Sequence, residues 1–286
     1  MLYRRFGKTE LKTSVLTVGG MRFTHQDGPG VARILQAALD AGFNHIETAR
    51  GYGDSEKLIG WAFKNGIDRS RLLLTTKIAP QKSYDEFMRT LDASLAALGV
   101  DRLDLLDVHG INTPEHLARA MDEQGNWRGV RTALADGRVR HIGFSTHGPL
   151  QVLMDTVNTG AFQTLNLHYY YFFQRHAPVV ARAAELDMGV FIISPADKGG
   201  QLFDPPARLA ELTRPLAPLA FNIRWLLAQP AVHTLSVGPA RVEDLAAHVA
   251  ALRDGPLDAT EQAAAERLAA AWRAELGHDY CSQCFD

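Results

Sequence analysis

Polar and titratable side chains stand at the ends of short apolar runs all along this chain. Glu47 closes a run that starts at His45, with Tyr52 shortly after it, and Lys77 and His109 follow later runs. Ser145, Thr146 and His147, then Asn166 and His168, then Ser194 and finally Gly238 end the remaining ones. Gathered in one place and withdrawn from water, such groups are costly unless each is paired, so their clustering would mark a site. Together they offer donors and acceptors for acid–base work. The three histidines with Glu47 also form a ligand set suited to zinc.

The runs that must position these residues form a regular series. Val15–Val18, His45–Glu47, Leu72–Thr76, Leu103–Val108, His141–Phe144, Thr164–Leu167, Val190–Ile193 and Thr234–Val237 read as strands. Between them lie stretches of helical period: 31–41, 55–65, 84–98, 128–136, 150–157, 177–186, 218–228 and 242–252. Ser55 before Glu56 and Gly42, Gly99 and Gly137 at the ends supply start and stop signals. Eight strands alternating with eight helices predict parallel pairing through crossovers, and the count fits a closed (β/α)8 TIM barrel better than an open sheet. Residues 2–5 and 11–15 read as an N-terminal β-hairpin turning at Gly7. A helix over 260–276 falls outside the eightfold count. The expected organisation is a barrel over 1–255 followed by a helical tail over 256–286. In such a barrel the chemistry belongs at the C-terminal strand ends, where the polar residues stand.

Composition narrows the class. With 286 residues, 30 Lys+Arg against 32 Asp+Glu and no basic run, neither nucleic acid nor an anionic membrane is an expected partner. No apolar segment follows the N-terminal arginines, and the longest central run, near Met188–Ile193, is far below the ~20 residues of a membrane helix. Both cysteines, Cys281 and Cys284, lie in the last six residues, so no disulfide framework is expected. A cytoplasmic location follows as the expectation.

The segment Ile46-Glu47-Thr48-Ala49-Arg50-Gly51-Tyr52-Gly53-Asp54-Ser55-Glu56 resembles the D-T-A-x-x-Y-G-x-S-E signature of the aldo-keto reductase family. Thr75-Thr76-Lys77 is similar to that family's lysine strand, Leu106-Asp107-Val108-His109 to its histidine strand, and 137–145 to its G-K-I-R-x-I-G-V-S stretch. The opening Tyr3–Thr9 is also similar to many bacterial members, and the resemblance runs in order from about residue 2 to about 255. The stretches 143–148 and 192–200 look like a poorly characterised microbial branch. The resemblance implies an NAD(P)H-dependent reductase of aldehydes or ketones acting on a small-molecule carbonyl. Tyr52 is then the general acid, and a neighbouring Lys77 ammonium is expected to lower its pKa of about 10. His109 orients the carbonyl, and a carboxylate keeps Lys77 charged. That carboxylate is Glu47 where the family usually has Asp, so its contact with Lys77 must be re-aimed.

No G-x-G-x-x-G opens a helix after a strand, and Gly7-Lys8-Thr9 lacks the first glycine of a P-loop. The resemblance instead implies a dinucleotide stretched across the barrel mouth. Gly20, Met21 and Arg22 match a cofactor-contacting stretch. Ser145 and Asn166 would hold the carboxamide, and Thr146 stands where many members have Asn. Ser194 joins the cofactor-binding set. Gly238 and Arg241 enter the phosphate end, where a helix terminus favours anions and Arg241 could pair with a 2′-phosphate. Asp244 and His248 occupy positions where NADP-preferring relatives often carry Arg and Asn. NADP(H) is ranked ahead of NAD(H), and no metal is expected.

Two alternatives stay open: a nucleotide-binding regulatory subunit with little turnover, and a metal-dependent barrel hydrolase. For the second, the first strand offers Val18-Gly19-Gly20 rather than H-x-H, although His45 and Glu47 would share one side of the next strand. Cys281 and Cys284 make half of a four-thiolate site.

Overall fold

The computed structural model describes residues 1–277. Its first two strands, β1 (Tyr3–Arg5) and β2 (Lys12–Ser14), pair antiparallel as a hairpin. Gly7 at its turn has φ of +54° and packs so closely on the backbone of Met188 and Gly189 that a Cβ would collide with it. Eight parallel strands then close the barrel: β3 (Leu16–Gly19), β4 (His45–Glu47), β5 (Leu73–Ile78), β6 (Leu103–Val108), β7 (Val139–Ser145), β8 (Thr164–Leu167), β9 (Gly189–Ile193) and β10 (Thr234–Val237). The fold is the expected (β/α)8 barrel with its N-terminal hairpin.

The helices of the eightfold repeat are α1 (Gly28–Asp40), α2 (Ser55–Lys64), α3 (Tyr84–Leu98), α5 (Asn126–Ala135), α6 (Leu150–Asn158), α7 (Ala177–Glu185), α9 (Pro218–Leu227) and α10 (Asp244–Ala250). Two short helices, α4 (Pro114–Ala120) and α8 (Ala207–Leu212), were not expected. Both sit in loops, and α4 is set by the Thr113 cap and Pro114 rather than by an apolar period. Helix α1 starts earlier than its apolar period because Asp27 caps the Gly30 N–H and Pro29 fits the first turn. The last helix, α11 (Ala259–Leu276), starts in a capping box between Asp258 and Glu261. It packs Ala264 and Leu268 against Tyr171 and Phe221. Cys281 and Cys284 lie outside the described residues. Among the described residues no helix is long and apolar enough to cross a membrane.

The barrel interior is layered, as side-chain alternation requires. Phe6 and Leu11 from the hairpin region plug the floor with Leu105 and Phe191, and Leu73 packs against them. Above lies a polar layer in which His45 bonds Thr17 and Thr75 at 2.8 Å each. Two residues further along β4 and β5 come Glu47 and Lys77.

Candidate active site

Lys77 is the centre of the next layer. It is 1% exposed, and its ammonium donates to Glu47 Oε2, to the Thr48 carbonyl at 3.1 Å and to the Tyr52 hydroxyl at 3.3 Å. Strand β5 runs on to Ile78, so Lys77 is held within the strand and not in the loop beyond it. Tyr52 lies just before α2, a helix fastened to the first strand's loop because Ser55 Oγ donates to the Gly20 carbonyl at 2.8 Å. The His109 ring meets Tyr52 edge-on with centroids 5.7 Å apart. Tyr52, Lys77, His109 and Glu47, separated along the sequence, are thus brought together at the C-terminal end of the barrel.

The longer Glu47 side chain is accommodated by reach. Its Oε1 accepts from Ser236 Oγ on β10 at 2.9 Å, two strands away. The intervening strand carries Gly19, where a Cβ would meet Ser236 Oγ at 2.6 Å and Glu47 Oε1 at 3.3 Å. One carboxylate oxygen is therefore fixed by Ser236 and the other faces Lys77.

Burial dominates the ionisation of the cluster. It pushes the Tyr52 phenol up to about 12, with a further contribution from the negative charge of Asp107. In the protein without ligand this outweighs the lowering expected from Lys77. Burial likewise pulls Lys77 down from the usual lysine range, opposed by the negative charge of Asp107. His109 is lowered to about 4 by burial and by Lys77 and His147, so it is a neutral imidazole at neutral pH.

Asp107 is the residue that the sequence reading missed as part of the site. It lies directly across from Lys77 in the β5–β6 register and is 2% exposed. The available signal was parity: Asp107 is two residues before His109 and shares its side of the strand. Asp104 of the same strand faces outward, where Arg69 and Arg140 hold it.

The proposed cofactor residues fall into two groups. Ser145 and Asn166 are neighbours in the β7–β8 register, and both are buried. Ser145 Oγ accepts from the Gly110 N–H at 3.2 Å. The Asn166 amide lies beside Asp107, yet neither its oxygen nor its nitrogen has a hydrogen-bond partner of good geometry among the described residues. Gly20, Met21 and Arg22 form a turn after β3, with Met21 exposed, and the Arg22 side chain passes over Gly200 and Gly238. Ser194 begins a tight loop with φ of +54°, and Asp197, Gly199 and Gly200 in the same loop also have positive φ.

The second group is engaged within the fold. Thr146 is fully buried, its hydroxyl donating to the Ile111 carbonyl at 2.7 Å and accepting from the Gly148 N–H at 3.0 Å. Its hydroxyl ties two loops together at this strand end. Asp244 accepts from the Ala240 and Arg241 N–H groups at 2.9 and 3.2 Å and pairs with Arg241 Nε at 3.0 Å. The helix starts at Asp244, not Val242, because this carboxylate ties off the preceding turn. His248 bonds the Asp244 carbonyl at 2.9 Å and stands against Phe203.

The zinc constellation does not converge. Glu47 is occupied by Lys77 and Ser236, while His168 Nε2 and His147 Nδ1 are bonded to each other at 2.9 Å. Among the described residues no three His, Cys, Asp or Glu side chains are grouped to hold a metal ion.

Comparison with known proteins shows the family. Residues 15–204 match the Aldo/keto reductase family. An aldo-keto reductase of Mycobacterium sp. (strain JLS) is 32% identical over 74% of this chain and 75% of its own. An uncharacterised oxidoreductase of Bacillus subtilis, YrpG, is 24% identical over 86% of this chain and 89% of its own. Among solved structures, the holo form of aldo-keto reductase AKR11C1 from Bacillus halodurans superposes with a TM-score of 0.80 at 21% identity, covering 94% of this chain and 96% of that one. The chain belongs to the aldo/keto reductase family of oxidoreductases.

Proposed function

We propose that the chain reduces an aldehyde or ketone to an alcohol with NAD(P)H, using Tyr52 as the proton donor. The observation that carries this reading is the buried Lys77 ammonium, bonded at once to Glu47 and to the Tyr52 hydroxyl. The family uses nicotinamide cofactors, and the orphaned Asn166 amide beside Ser145 fits a carboxamide that needs both a donor and an acceptor. When bound, a reduced nicotinamide supplies the hydride.

The chain's own residues then supply the rest. Tyr52, protonated across the neutral range, gives its proton to the carbonyl oxygen as charge develops there. Lys77 stabilises the phenolate left behind, and Glu47, fixed by Ser236, keeps Lys77 charged. Neutral His109 donates an N–H to the carbonyl oxygen and orients it. Ser145 and Asn166 would hold the nicotinamide end. Arg22, Gly20, Met21, Ser194 and Gly238 would line the path across the mouth, and Arg241, Asp244 and His248 would meet the adenosine end.

The sequence ranking of NADP(H) over NAD(H) gains no support there. Asp244 places a negative charge on the amides a 2′-phosphate would seek and occupies Arg241. We therefore rank NADH at least level with NADPH. Titration of nicotinamide fluorescence with each nucleotide, followed by a panel of aldehydes and ketones, tests the proposal. Binding of neither nucleotide, or binding without oxidation by any carbonyl, would overturn it.

A further inference from the structure

In one layer of the barrel three neighbouring strands each turn one ionisable side chain inward: Glu47 from β4, Lys77 from β5 and Asp107 from β6. One carboxylate, Glu47, pairs directly with the ammonium, and the second, Asp107, acts on it by charge without an ion-pair contact. Glu47 already forms an ion pair with Lys77 and is fixed by Ser236, so charge pairing of the lysine does not require the second acid. A buried excess of negative charge is costly, and its presence asks for a role.

Asp107 has no ion-pair contact, and its strongest favourable interaction is the charge of Lys77. Thr164 Oγ1 donates to it only at 3.5 Å, and the Asn166 amide beside it makes no well-formed bond. Room for its carboxylate exists because β7 presents Gly143, where a Cβ would collide with both Asp107 Oδ1 and Thr164 Oγ1. The titratable groups around it can be named strand by strand. On β5 it faces Lys77, with Glu47 beyond on β4; His45 lies in the layer beneath and His109 above. Both imidazoles are neutral, lowered by burial to about 3 and about 4. On β7 and β8 it meets Gly143, Thr164 and Asn166, none of which carries charge. Lys77 is thus the only cation in this part of the interior among the described residues, and Tyr52 is the next ionisable group above it.

We propose that Asp107 is a positioning residue for the reaction: as a second buried counter-ion of Lys77 it offsets the pull of that ammonium on the Tyr52 hydroxyl and keeps the phenol protonated. The inference rests on the proposed role of Tyr52 as proton donor. With Lys77 and Glu47 alone the cluster is neutral, and its ammonium faces the phenol. An ionised Asp107 makes the cluster negative, and a phenolate would add another negative charge to the same dry volume. The direction agrees with the upward push that Asp107 exerts on Tyr52. Carbonyl reduction, which needs the phenol, then persists to alkaline pH, while alcohol oxidation, which needs the phenolate, is confined to the alkaline side.

The test is Asp107→Asn, which removes the charge and keeps the shape, with Glu47 left to hold Lys77 charged. Phenolate absorbance is titrated in the protein without nucleotide or substrate. The difference between each protein and its Tyr52→Phe counterpart isolates Tyr52. The Tyr52 step is expected to move to lower pH by about one unit or more, as loss of a like charge at this range implies, and Asp107→Glu is expected to leave it in place. The alkaline fall in kcat/KM for reduction should move down with the step. A Tyr52 step at unchanged pH, or a uniform drop in kcat/KM with its inflection unmoved, overturns the inference. Should Asp107→Asn fail to fold, Asp107→Leu leaves no buried amide to satisfy and carries the same expectation. If no carbonyl is turned over by any of these proteins, the proposed function fails, while the absorbance titration still decides what Asp107 does to Tyr52.

Discussion

The Lys77 ammonium lies 3.3 Å from the Tyr52 hydroxyl and 4.7 Å from the centre of the same ring. One cation therefore does two things: it donates to the oxygen that would lose its proton in the proposed reaction, and it holds the ring by its face. Tyr52→Phe keeps the ring contact and removes only the proton donor. The expected result is a loss in kcat on the order of 10²–10⁴, the usual share of a general acid, with nucleotide affinity by fluorescence titration nearly unchanged. Retained turnover would remove Tyr52 from the proposed chemistry.

Glu47 joins Lys77 to Ser236 across the intervening Gly19. Glu47→Asp keeps the charge but is too short to serve both partners, so kcat should fall by about tenfold or more, since one hydrogen bond to a charged group, worth roughly 1.5–3 kcal/mol, is lost. Glu47→Gln breaks the ion pair itself. Its loss of stability in urea unfolding should lie at or below the lower end of the ~3–5 kcal/mol typical of a broken buried pair, because Asp107 still faces Lys77. A Glu47→Gln protein as stable as the parent would show that the pair contributes nothing net.

His45 gives a pH dependence of stability. Burial lowers its pKa to about 3, so the folded protein keeps it neutral, bonded to Thr17 and Thr75 hydroxyls, while the unfolded chain protonates near the ordinary histidine value. The unfolded state binds the extra proton, so stability is full above that ordinary value and is lost as pH falls toward the folded one. Between about pH 7 and about pH 5 this single group accounts for about 2 kcal/mol. His45→Gln should lower stability at neutral pH yet flatten the pH dependence by that amount, read from urea unfolding at the two pH values. An unchanged slope would mean that His45 is not the group that titrates.

The Asp244 carboxylate is shared between two backbone N–H groups and Arg241, and in the proposed site it is expected to set the nucleotide preference. Asp244→Ala frees Arg241 and removes a charge that repels a 2′-phosphate. NADPH affinity should rise by about tenfold, equivalent to about 1.4 kcal/mol, with NADH affinity unchanged or slightly weaker. Equal gains for both nucleotides would place the effect elsewhere than the 2′ position.

The barrel was legible because apolar runs alternate with helical periods, and Glu47, Lys77 and His109 stood at or next to run ends where parity aims them inward, while Tyr52 follows in the loop before α2. Asp107 was not. It sits inside an apolar run with two aspartates, and parity with His109, which marks Asp107 as the inward one, gains meaning only once the register sets it opposite Lys77 while Asp104 is held outside by Arg69. The bonds of the Thr146 hydroxyl to Ile111 and Gly148 were hidden for the converse reason, since they depend on how two loops meet. The short helices α4 and α8 were hidden because local capping and loop packing set them, and neither is long enough for an apolar period to show.

Helix α11 is fastened to the barrel by a buried ion pair. Arg224 Nε donates to Glu261 Oε1 at 2.8 Å, and the same guanidinium reaches the carbonyls of Arg253 and Pro256. Glu261 also takes Arg253 Nη2 at 2.7 Å and closes the capping box on the Asp258 N–H at 2.8 Å. Glu261→Ala therefore strands the Arg224 charge and opens the cap, and should cost about 3–5 kcal/mol in urea unfolding. Replacing both partners, Arg224→Met with Glu261→Leu, removes the stranded charge along with the pair and should cost less than Glu261→Ala alone. If the double variant is the less stable one, the helix is held by the pairing itself rather than by the apolar contacts of Ala264 and Leu268 with Tyr171 and Phe221.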